Sequence, residues 1–126
     1  MILNIEIKRF ILIGIISTFI NYVVYFISIR ITSNISLSSV LAYTLGLVNS
    51  FIFGKNYVFK NKSKINIKLI TKFLFIYFIG GLGMTVIINF LSKYNFNYNI
   101  AWIFGVFFSF LNNFFGSKIY IFNSKN

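Results

Sequence analysis

Asn49-Ser50-Phe51-Ile52-Phe53-Gly54-Lys55-Asn56-Tyr57-Val58-Phe59 closes one long apolar run of the chain. Its outline returns as Asn112-Asn113-Phe114-Phe115-Gly116-Ser117-Lys118-Ile119-Tyr120-Ile121-Phe122. Both copies read Asn-x-Phe, then Lys, then Tyr, an aliphatic residue and Phe. Each holds the first charge after an apolar run. The copies lie 63 residues apart in a chain of 126. The same shift lays Arg9-Phe10 on Lys72-Phe73, and Arg30 on Lys93. A repeated half is therefore the first expectation, ahead of any fold.

Working outward, the runs before each copy resolve into four apolar spans. Phe10–Ile29 and Phe73–Ser92 each hold 20 residues without a charge, enough at helical rise for a hydrocarbon core of roughly 30 Å. The shorter runs at 37–53 and 100–115 complete a set of four, with spans at about 10–29, 37–53, 73–92 and 100–115. The first run is too long for the apolar region of a signal peptide, and no small-x-small site precedes Arg30. Residues 1–9 read as a short amphipathic start, 30–39 as a polar link, 55–72 as a solvated connector with six lysines, and 93–99 as a polar turn.

Composition agrees. The chain is 58 % hydrophobic and 10 % charged, with mean hydropathy +0.84, where a soluble domain carries about a quarter charged residues. The expectation is one all-α membrane domain over 1–126, built as two helical-hairpin repeats. Tyr57, Phe59, Tyr94, Tyr98, Trp102 and Tyr120 sit at run ends, as an interfacial aromatic belt does. Ala42 and Gly46, and again Ala101 and Gly105, are spaced for close helix approach. These pairs are 59 apart, which implies a slip of about one turn between the halves.

The net charge of +11 does not point to nucleic acid, because the basic residues border apolar runs. They report orientation. Lys8, Arg9, the six lysines of 55–72, Lys118 and Lys125 make ten on one side; Arg30 and Lys93 make two on the other. The positive-inside rule puts both termini and the connector in the cytoplasm. The two repeats then run in parallel orientation.

Chemistry is limited by what the chain lacks. Without Cys or His, thiolate and imidazole metal sites are excluded, as is a thiol nucleophile. Glu6 is the one acidic residue, so paired-carboxylate catalysis has no second member. No enzyme activity, metal or cofactor is expected. A small multidrug transporter is disfavoured too, since proton coupling needs an ionisable group within the spans.

Two sets of polar residues remain. Lys55 and Lys118 either snorkel to fix orientation or hold a lipid-linked phosphate as point charges. Asn49, Ser50, Asn112 and Asn113 lie one to two turns deeper. They either bond helix to helix or line a polar path for a head group. Ser17 and Asn21, and Thr85 and Asn89, are four apart and share helix faces, from which they can join that path.

Arg9-Phe10-x-x-x-Gly14, Ser50-Phe51…Lys55-x-Tyr57-x-Phe59 and Asn113-Phe114…Lys118-x-Tyr120-x-Phe122 resemble the signatures of the GtrA-like family of small four-span membrane proteins, over about residues 8–123. The family often has Arg where both copies have Lys, which lacks the bidentate fork. The first copy has Ser50 where Asn is usual. The resemblance implies translocation of a polyprenyl-phosphate-linked sugar across the bacterial cytoplasmic membrane for cell-surface polysaccharide glycosylation. It implies a separate membrane glycosyltransferase as partner. A non-transporting subunit that anchors such an enzyme is the alternative. The lysine-rich connector suits either that partner or anionic membrane lipids. Four short spans leave little room to enclose a head group, which favours a homo-oligomer.

Overall fold

The computed structural model describes residues 2–123, with the side chains of Ile35, Ser36, Ser39 and Tyr98 left aside. Lys125 of the charge count thus lies outside the described residues, as do the side chains of Ser36 and Ser39 in the polar link and of Tyr98 in the aromatic belt. Among the described residues four α-helices run in order: α1 (Ile2–Thr32), α2 (Ile35–Phe53), α3 (Ile67–Lys93) and α4 (Tyr98–Gly116). A π-helical turn follows α2 at Gly54–Val58 and another follows α4 at Ser117–Ile121. No strand occurs among the described residues.

Local chemistry sets the helix starts. Asparagine caps α2, α3 and α4: the Oδ1 atoms of Asn34, Asn66 and Asn97 accept from the backbone N–H of Leu37, Leu69 and Asn99 at 2.9, 2.9 and 2.8 Å. Such a cap satisfies one of the orphan donors of a helix start. Left-handed residues turn the chain before two of these starts, Ser33 (φ 52°) and Asn95 (φ 61°).

Two helices extend past their expected spans. α1 is helical from Ile2, so the amphipathic start belongs to it. α3 starts at Ile67, inside the stretch expected to be a solvated connector. The reason is local: no Pro or Gly interrupts 67–72, and Asn66 supplies the cap. Among the described residues, three helical stretches are long and apolar enough to cross a membrane: Ile2–Thr32, Ile67–Lys93 and Asn99–Ile121. α2 is 19 residues long. Phe75, Phe78, Phe104 and Phe107 stand exposed, a burden in water and no cost in lipid.

The chain divides into two compact units, residues 1–62 and 63–126. In the first, α1 packs on α2 and the π-turn that follows it; in the second, α3 packs on α4 and its π-turn. Small residues line each contact. Ser38, Ala42 and Gly46 are buried along α2; Ala101 and Gly105 are buried along α4, with Ser109 half-buried. These two stripes are offset by 63, position for position. The slip of one turn inferred from Ala42–Gly46 and Ala101–Gly105 is therefore wrong. Each pair is part of a longer stripe, and composition alone selected different members. Gly46 and Gly105 meet the facing helix at its backbone: an added Cβ would lie 3.4 Å from the Ser17 carbonyl and 3.1 Å from the Met84 carbonyl, respectively.

Candidate functional site

Each unit carries a polar node inside its helix pair and a basic node at its π-turn. In the first unit, Ser17 of α1 is buried against α2. The Nδ2 of Asn49 donates to its Oγ at 2.6 Å, and the hydroxyls of Ser50 and Ser17 stand 2.9 Å apart. Asn21, one turn along α1, packs beside Gly46. In the second unit, the Nδ2 of Asn112 donates to the Ile76 carbonyl of α3 at 2.7 Å and to the Oδ1 of Asn113 at 3.1 Å. Asn113 reaches Ser109 Oγ at 3.4 Å. Gly80 faces this cluster: a Cβ there would collide with Asn113 Oδ1 and come within 3.0 Å of Asn112 Nδ2. Ser17 and Gly80 are 63 apart, and so are Gly46 and Ser109. The hydroxyl has changed helix between the units while one Ser and one Gly still face each other.

Thr85 and Asn89 do not join Asn112 and Asn113. Both are exposed, and the Thr85 hydroxyl donates back to the Gly81 carbonyl at 3.0 Å. Helical rotation is the cause. Five residues separate Gly80 from Thr85, which turns Thr85 by roughly 140° from the face that meets α4. Spacing four apart put Thr85 and Asn89 on one face, but on a different face from Gly80.

The basic nodes were legible only in part. Lys55 is 7 % exposed. Its Nζ donates to the Asn61 carbonyl at 2.8 Å, and the Asn61 N–H donates to the Lys55 carbonyl at 2.8 Å. Lys60 takes φ 48° to close this loop. Lys55 is thus folded back under the end of α2. Lys118 is half-buried in the matching π-turn.

The sequence assigns no contact partner to Arg9 or Lys72, yet both have fixed partners. Arg9 Nη1 donates to the Tyr57 carbonyl at 3.2 Å, and its guanidinium lies 5.0 Å from the Tyr57 ring centroid. Lys72 Nζ donates to the Tyr120 carbonyl, again at 3.2 Å. A π-turn at a helix end presents unpaired carbonyls at the negative end of the dipole, where a cation is favoured. The bonds Phe59 N–H to Gly54 carbonyl and Phe122 N–H to Ser117 carbonyl, at 3.0 and 2.8 Å, close the two turns. The 63-residue shift that paired Arg9 with Lys72 was the available signal.

The polar nodes make a direct prediction. Ser17→Ala and Asn49→Leu each lower the unfolding free energy in detergent by about 0.6–2 kcal/mol. The double variant loses less than the two single losses together, because both remove one shared bond. Additive losses would show that the 2.6 Å contact carries no energy.

A comparison with curated proteins finds no match. A family model described as the GtrA/DPMS transmembrane domain matches residues 9–122, from the arginine on the first π-turn to the phenylalanine that closes the second. The match spans both units and both basic nodes. Together with the long apolar helices it makes this chain a multi-pass membrane protein, tied to lipid-linked sugar processes of glycosylation, and a member of the GtrA/DPMS transmembrane family.

Proposed function

We propose that the protein translocates a polyprenyl-phosphate-linked sugar from the cytoplasmic to the outer leaflet of a bacterial membrane, for cell-surface polysaccharide glycosylation. In this reading α2 is a fourth span, and the two units are parallel repeats entering from the cytoplasm. The observation that carries it is the recurrence, at one offset, of a lysine in a π-turn with a polar node deeper in the same helix pair. Asn49 and Lys55 are six residues apart, as are Asn112 and Lys118, so roughly 9 Å of helix separates sugar-binding amides from a phosphate-binding ammonium.

Lys55 binds the lipid phosphate by exchanging acceptors. An ammonium has three donors, and the neutral Asn61 carbonyl holds one. A phosphate oxygen makes a charge-assisted bond about twice as strong as a neutral one. Lys118, half-buried at the matching position, binds the phosphate in the second unit. Asn49, Ser50, Asn112 and Asn113, with Ser17 and Asn21, offer amides and hydroxyls to the sugar. Thr85 and Asn89 contribute only if their exposed face meets the path elsewhere. With Glu6 as the one acid, transport is not proton-driven. A membrane glycosyltransferase supplies the lipid-linked sugar, and a homo-oligomer encloses the head group.

Membranes from cells lacking the protein test this. The lipid-linked sugar should still form and should stay on the cytoplasmic leaflet, open to an impermeant reagent in inverted vesicles. If the lipid-linked sugar is not made at all, the protein serves its glycosyltransferase partner and the translocase reading fails. Topology is checked in the natural Cys-free background. A Cys at position 34 should be labelled from outside intact cells, and a Cys at 63 should not; the reverse pattern contradicts the orientation.

A further inference from the structure

The exposed residues just before and within the first turn of α3 fit neither bulk water nor the lysine-carbonyl contacts of the π-turns. The segment reads Lys64-Ile65-Asn66-Ile67-Lys68. Ile65 is 55 % exposed and Ile67 78 %. Lys64 and Lys68 on either side are exposed as well. Lys72, one turn on, already donates to Tyr120. Lys64 and Lys68 have no part in that contact.

Position gives these residues a use. α3 is continuous from Ile67 to Lys93, and its charge-free run begins at Phe73. Ile67 therefore sits on a rigid rod about 9 Å below Phe73. The headgroup region adds roughly 5–7 Å to each side of the hydrocarbon core. Helix tilt brings Ile67 closer still. Apolar side chains flanked by lysines at this depth match interfacial segments, which seat apolar groups at the acyl boundary and cations among lipid phosphates. Ile67 also shares a face with Leu74 and Phe78, seven and eleven residues on, both exposed along α3. One exposed apolar column thus runs from the segment into the membrane-spanning part of the helix.

We propose that Lys64–Lys68 is an interfacial anchor for an anionic bilayer surface, with Ile65 and Ile67 inserted at the acyl boundary and Lys64 and Lys68 on lipid headgroups. Opposite charge selects that occupant. The anchor fixes how deep the entry of α3 sits, and with it the height of the second basic node. It is independent of what the protein transports.

The full chain, with Ile65→Cys or Ile67→Cys carrying an environment-sensitive fluorophore, is placed in lipid nanodiscs of neutral phosphatidylcholine or with one-third phosphatidylglycerol. In anionic discs the probe should emit at shorter wavelength and be quenched by lipid-borne nitroxide rather than aqueous iodide. Two lysines, at about five-fold each, should shift the inserted-to-exposed ratio by roughly twenty-five-fold between the lipids. Lys64→Gln with Lys68→Gln should remove that difference. Iodide quenching typical of free solution in both lipids would overturn the proposal. Equal insertion in neutral and anionic discs would overturn it too, since the lysines would then contribute nothing. Because the discs hold no other protein, insertion there also excludes an acidic protein partner as the required occupant.

Discussion

Gly80→Ala should destabilise the second unit by roughly 2–3 kcal/mol, while Gly81→Ala, one residue away, should stabilise it slightly. The added methyl at 80 would strike Asn113 Oδ1 and press on Asn112 Nδ2 and Ser109 Oγ. None of these atoms yields without loss. Asn113 is held between Asn112 and Ser109, and Asn112 is bonded to the Ile76 carbonyl. Moving them breaks the interhelical bond from Asn112 to the Ile76 carbonyl, worth about 0.6–2 kcal/mol, and overpacks a close contact at about 1–3 kcal/mol. Helix propensity returns about 0.5–1 kcal/mol. At Gly81 nothing lies within 4 Å of the added methyl, so only the propensity gain remains. Unfolding in detergent, followed by the fluorescence of Trp102 on α4, measures both. Equal effects at the two positions would show that α3 does not meet α4 through Gly80.

Removal of the π-turn lysines should have the largest effect on function. Lys55→Gln or Lys118→Gln should abolish surface glycosylation while the protein reaches the membrane at normal levels. Gln keeps a donor but loses the charge that a phosphate needs. An orientation role predicts otherwise, because in the proposed topology eight other positive charges of the chain share that side of the membrane. Burial splits the two sites. From sequence, Arg is expected to replace either lysine. In the folded chain Lys55 is enclosed and bonded to one carbonyl, and the larger planar guanidinium does not fit there without movement. Lys118→Arg should therefore keep activity and Lys55→Arg should lose much of it. Neutralising Lys60, Lys62, Lys64 and Lys68 together should cost far less glycosylation than either Gln variant. Full glycosylation in the double Gln variant would return both lysines to anchoring.

The helices and the 63-residue register were legible because they rest on strong local signals. Charge-free runs of 20 residues and a shared Lys-x-Tyr-x-Phe ending survive the low identity between halves. The small stripes were legible as residue type and misplaced in register. Burial, which a sequence does not display, decides which of several Ala, Ser and Gly residues face the partner helix. The π-turns were invisible. Their hydrogen bonds span one residue more than an α-helix, and neither Gly54–Val58 nor Ser117–Ile121 carries a breaker that Gly14 or Gly81 does not also offer. Those turns aim the Tyr57 and Tyr120 carbonyls at Arg9 and Lys72, so the partners of two basic residues were hidden with them. Lys55 was hidden in another way. A lysine beside a polar connector is usually solvated, and only the loop closed by Asn61 and Lys60 buries it.

Translocation by this chain alone is the claim on which the functional account stands, and reconstitution tests it most directly. The purified protein is placed in vesicles that carry a polyprenyl-phosphate sugar, and the fraction of sugar open to an impermeant oxidant is followed over time. The account predicts that the protected inner-leaflet fraction becomes accessible with the wild-type chain. It predicts no such change with the Lys55→Gln, Lys118→Gln double variant. An accessible fraction that stays at that of protein-free vesicles, with correctly folded wild-type protein present, would contradict it.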